Sequence, residues 1–168
     1  FYLYWGPVPG LILSIFKPVL PNEIGDEYLV FVILSSIFIL EVLIILKLRG
    51  AFFPDIPTWI ISVSILLAGL TTPYAWMFNN PRVYDVAIGS GQLFFLAGFY
   101  IVIDIITRRV FLPKKQSSQK AISLHEVFKL CLTGIFWSFV FGSRLTQAML
   151  IAFISIMTVI WFFKRNEY

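Results

Sequence analysis

Charge is scarce in this chain. Of its 168 residues only 13% are charged, against 59% hydrophobic, and the mean hydropathy is +0.88. A water-soluble domain of this size carries roughly twice that charged fraction, so a soluble globular fold is excluded. Cys131 is the single cysteine, so no internal disulfide can form, and its place in an apolar run reads as packing. His125 is the single histidine; without partners it makes neither a metal site nor a nucleophile–base pair, and it reads as interfacial. Internal repeats, a phosphate-cradling glycine pattern and a signal-peptide pattern are also missing. The chain opens Phe1-Tyr2-Leu3-Tyr4-Trp5 without Met and reads as a piece of a longer protein.

What is present is a series of long apolar runs that are continuous rather than alternating. That pattern predicts an all-α membrane protein, a polytopic helical bundle, and not a β-barrel. About five transmembrane helices are expected, over about 28–46, 59–78, 86–106, 127–142 and 145–163, preceded by an interfacial segment. Residues 1–20 supply that segment: Tyr2, Tyr4 and Trp5 precede Gly6-Pro7-Val8-Pro9-Gly10, and the apolar run 11–16 is too short to cross. The acidic stretch 22–27 caps the first span, and Lys47 and Arg49 end it. Glu41, inside that span but near its basic end, reads as structural, within snorkelling reach of the interface. Asp104 and Arg108, four apart at the exit of the third span, read as an ordinary helix pair. The only hydrophilic linker, 107–126, is basic.

The net charge of +4 is not a nucleic-acid signal, because the basic residues follow membrane topology. With the 107–126 linker inside, ten of the 13 Lys and Arg fall on the cytoplasmic side: Lys47, Arg49, Arg108, Arg109, Lys114, Lys115, Lys120, Lys129, Lys164 and Arg165. Lys17, Arg82 and Arg144 remain outside. A multi-pass protein of the inner or plasma membrane is expected, with loops 47–58 and 107–126 and the C-terminus cytoplasmic, and loop 79–85 extracytoplasmic.

That outer loop carries Arg82, Tyr84 and Asp85 and leads directly into the third span. Asp85, Gly89 and Gln92 stand at i, i+4 and i+7, one stripe of a helix, which suits the wall of a polar cavity. An ordinary hairpin with an acid at a helix N-terminus is the alternative. The fourth span, short for a crossing and followed almost at once by the fifth, is expected to hold Arg144 at or below the outer interface. An arginine there costs ~2.5–3.5 kcal/mol at the bilayer centre, so it faces a cavity or an anion, or snorkels to a headgroup or to Asp85. Gly134, Ser138 and Gly142 recur every fourth residue, a small-residue stripe on which another helix can pack closely.

In this order, the Pro-x-Pro segment, the acidic glycine-containing entry, the outer loop with Arg82 and Asp85, the basic linker and the run Leu132-Thr133-Gly134-Ile135-Phe136-Trp137-Ser138-Phe139-Val140-Phe141-Gly142-Ser143-Arg144 resemble the membrane module of GT-C glycosyltransferases. These are polytopic enzymes that use polyprenyl-phosphate sugars, as in the protein mannosyltransferase and aminoarabinose transferase group. The resemblance spans nearly the whole chain on short, degenerate motifs. It implies an auxiliary catalytic role for Asp85, which would orient the acceptor or hold Arg82 or a metal. It implies a substrate-binding role for Arg144 and Arg82, with Tyr84, Gln92 and Tyr4 at the same level, and a polyprenyl-phosphate lipid as partner. No metal or other cofactor is required by these residues. Three departures stand out: the family's principal catalytic acid would lie before Phe1, Pro7-Val8-Pro9 replaces an adjacent proline pair, and Arg144 stands where many members carry lysine. A non-catalytic subunit that meets other chains through the Gly134, Ser138 and Gly142 stripe is the rival class. A transporter fits less well, because the spans are mostly uninterrupted and no repeat is present.

Overall fold

The computed structural model describes residues 8, 10–11, 14, 26–70, 83–111, 124–143, 149–157 and 160, with 26–27, 83–84 and 109–111 in backbone alone. Every regular element among them is helical: α1 (Asp26–Phe52), α2 (Thr58–Leu70), α3 (Val83–Phe111) and α4 (Leu124–Ser143), and residues 149–157 are helical too. Three stretches, Tyr28–Phe52, Asp85–Arg108 and Leu124–Ser143, are long and apolar enough to cross a membrane. The all-helical membrane class therefore stands, with three span-length helices among the described residues rather than five. The expected second span runs past Leu70 into residues outside the description, and the expected fifth is described only in part.

The helices overrun the expected spans. α1 continues past Lys47 and Arg49 to Phe52, and α3 continues to Phe111. Hydropathy marks where hydrocarbon ends, but backbone hydrogen bonding has no reason to stop at that plane. What stops α1 is Pro54, which disfavours helical geometry at Phe53. The 53–57 turn closes with Phe53 N donating to Arg49 O at 3.0 Å and Ile56 N to Phe53 O at 3.2 Å. Arg49 staples it, donating to the Ile56 carbonyl at 3.2 Å and the Thr58 hydroxyl at 3.3 Å.

Helix α3 is the centre of the packing, with α1 on one side and α4 on another, while α2 packs against α1. On α1 the buried positions Val30, Leu34, Ile37 and Ile44 form a seam at i, i+4, i+7 and i+14; the first three make a core with Val86 of α3. The contacts also give direction. Ile33 lies against Gly89 and Lys47 reaches Asp104, so α1 and α3 run parallel. Gly98 lies against Trp137 and Asp104 meets Lys129, so α4 runs antiparallel to α3. Phe94 adds ring contacts to Phe136 and Phe139, with centroids 6.1 and 5.1 Å apart. Phe38 against Gly69 makes α2 antiparallel to α1.

The outward surface is apolar: Phe31, Ile39, Trp59, Leu66, Phe128 and Phe153 are all exposed. Small hydroxyls are satisfied within their own helices. Ser36, Ser62, Ser64, Thr133 and Ser143 each donate to the carbonyl four residues earlier, which removes the cost of a bare hydroxyl in hydrocarbon. Cys131 lies exposed on this outer surface rather than packed, because its side of α4 meets no neighbour among the described helices.

Candidate functional site

The two ends of α3 each carry a buried acid. Asp85 sits in its first turn and Asp104 near its last, each 7% exposed. At 1.5 Å per residue they are roughly 28 Å apart, close to the thickness of a hydrocarbon core.

At the Asp85 end, the residues expected to form a site divide into three groups. Asp85 is buried and Gln92 half-buried. Tyr84 lies in α3 but is described in backbone alone. Tyr4, Arg82 and Arg144 lie outside the described residues. The stripe through Asp85, Gly89 and Gln92 is not an open wall at its middle. A Cβ on Gly89 would come within 2.8 Å of Ile33 Cγ2, so this glycine serves close approach of α1. α4, expected to be short for a crossing, has 20 residues, enough for a full one. Of the small-residue stripe, Gly142 faces Val8, whose Cγ2 would be 2.6 Å from a Cβ there; Gly134 and Ser138 are exposed, with nothing within 4 Å of a Cβ at Gly134.

At the other end sequence reasoning saw one ion pair, and the fold builds a cluster. Lys47 of α1 and Lys129 of α4 each donate to the Asp104 carboxylate, and Arg108 Nε lies 3.1 Å from it. Three helices are thereby tied at one acid. Lys47 and Lys129 are about four-fifths shielded, whereas Arg108 is 66% exposed. Lys47 Nζ also stands 4.9 Å from the centre of the Tyr100 ring, on the same face of α3 one turn before Asp104. Thr107 completes the floor, donating to the Ile103 carbonyl at 2.8 Å. The missed signal was depth. Alternating spans bring Lys47, Asp104 and Lys129 to the same end, and an acid beside two lysines at one level is a tertiary pair in waiting.

Glu41 also differs from expectation. It continues the inward seam of α1 between Ile37 and Ile44, and its Oε2 is enclosed by protein rather than directed to the interface. The register places it at the depth of Gly98, where the Trp137 indole fills the space a side chain would take. The Trp137 Nε1–H is buried there with no hydrogen-bond partner among the described residues. Among those residues no three His, Cys, Asp or Glu come together as metal ligands.

Fold and charge placement together define a helical membrane protein with a charged clamp at one end of its central helix. Comparison with protein-family models, with curated proteins and with solved structures finds no match to this chain.

Proposed function

We propose that the chain is the membrane-embedded module of a GT-C-like glycosyltransferase that moves a sugar from a polyprenyl-phosphate donor on the extracytoplasmic face. The observation that carries this reading is Asp85: a buried carboxylate at the end of the long central helix opposite the basic cluster. In this scheme the chain crosses a plasma or inner membrane five times, with 47–58, 107–126 and the C-terminus cytoplasmic and 79–85 outside. Asp85 orients the acceptor while a general base from elsewhere in the full-length protein takes its proton. Arg144 and Arg82 neutralise the charge that grows on the departing lipid phosphate. Asp85→Asn and Arg144→Ala in the full-length protein are each expected to abolish transfer from a polyprenyl-phosphate sugar while leaving expression intact. Undiminished transfer by both variants removes the assignment.

A second reading, a non-catalytic transmembrane subunit, has its own support. The exposed Gly134 and Ser138 leave room on α4 for a helix of another chain. Co-purification of a stoichiometric membrane partner, lost on Gly134→Leu, is the result that favours it.

A further inference from the structure

We propose that the α1–α3–α4 end around Asp104 binds the phosphate of an anionic phospholipid headgroup. The charge count leaves room for a further anion. Lys47, Lys129 and Arg108 bring three positive charges to one carboxylate, leaving two in excess. The other charged side chains described at this end are Arg49, Glu126 and the exposed Asp55. They add one positive and two negative charges, so the end as a whole stays positive. Arg49 is committed to the 53–57 turn and is not part of the site.

The donors left over have the right form. Arg108 spends Nε on Asp104, and its two terminal amino groups make no hydrogen bond among the described residues. That planar fork suits two phosphate oxygens at once. Each lysine has three N–H donors, of which Asp104 takes one. The two ammonium groups are largely shielded by protein and the guanidinium reaches outward, so the cluster opens towards the level of the headgroups. Basic pockets between spanning helices are where anionic headgroups lodge.

A lipid, rather than free phosphate, is indicated by what surrounds the charges. Leu43 and Leu46 on α1, Ile106 on α3, and Val127 and Leu130 on α4 are exposed within about one turn of the cluster. Acyl chains have a surface to lie on beside their own phosphate, and a soluble anion has no use for it.

The test is native mass spectrometry of the full chain in detergent with phosphatidylglycerol, with phosphatidylcholine of the same acyl chains, and with inorganic phosphate. Phosphatidylglycerol is expected to bind in preference to phosphatidylcholine. Arg108→Gln is expected to weaken phosphatidylglycerol about fivefold, the worth of one basic residue at an anionic surface. Phosphatidylcholine, whose choline already offsets its phosphate, should lose less, and the fold should hold, since Asp104 keeps both lysines. Arg108→Lys, which keeps the charge but not the fork, gives an intermediate affinity and is the variant to read should Arg108→Gln lower the yield of folded protein. Equal binding of the two lipids, or a phosphatidylglycerol affinity unchanged in both variants, overturns the proposal. Displacement of the lipid by inorganic phosphate overturns lipid as the occupant. Because the site lies at the far end of α3 from Asp85, these outcomes are independent of the transferase reading.

Discussion

Removing the carboxylate of Asp104 leaves the Lys47 and Lys129 ammonium groups close together and largely shielded from solvent, whereas removing one lysine leaves Asp104 with two partners. The costs should therefore be unequal. Asp104→Asn is expected to lower stability by about 3 kcal/mol. Lys129→Met is expected to cost about 1.5 kcal/mol, the worth of one charge-assisted hydrogen bond. Reversible unfolding in mixed micelles measures both, and adding Lys129→Met to Asp104→Asn should recover part of the larger loss. Costs near zero for both variants would mean that the cluster is solvated and holds nothing. From the sequence, the i,i+4 spacing of Asp104 and Arg108 was readable because it is local. The lysines were not, because joining them to Asp104 needs the packing register of three helices.

Glycine is the residue type that separates one helix contact from another here. Gly98 is filled by the edge of the Trp137 indole, while Gly134 faces open space. Gly98→Ala is expected to destabilise the α3–α4 pair by about 2 kcal/mol through overpacking. Gly134→Ala is expected to stabilise by about 0.5 kcal/mol, since alanine is the better helix former and meets nothing. Thermal melting in detergent reads both, and size-exclusion light scattering reads assembly. A Gly134→Ala protein that changes its assembly size shifts the balance to the subunit reading. The helices themselves were legible as apolar runs, and their ends were not. Charges such as Lys47 and Arg109 mark the edge of hydrocarbon, yet α1 and α3 continue until proline or the linker intervenes. The same confusion of edge with end made α4, a 20-residue helix, look too short for a crossing.

The bundle as a whole has two chemically distinct ends, and the proposed orientation, from the distribution of Lys and Arg, puts the basic one in the cytoplasm. The 53–57 turn with its exposed Asp55 belongs to the basic end. In a Cys131→Ser background, Asp55→Cys is expected to react with a membrane-impermeant maleimide in inverted vesicles and not in intact cells. Reaction in intact cells alone would reverse the topology and move Asp85 to the cytoplasmic side. Helix direction could be anticipated by counting crossings. The pairing of parallel α1 and α3, with α2 set to the side, could not, because apolar runs of similar composition do not say which of them touch.

The clamp also sets a timetable for biogenesis. Its acid lies 57 positions after the first lysine and 25 before the second. A ribosome therefore delivers α1 well before its partner exists, and delivers the last cation only after the acid is already in place. The clamp can thus close only once α4 has been made, after the other helices that it ties have already left the ribosome.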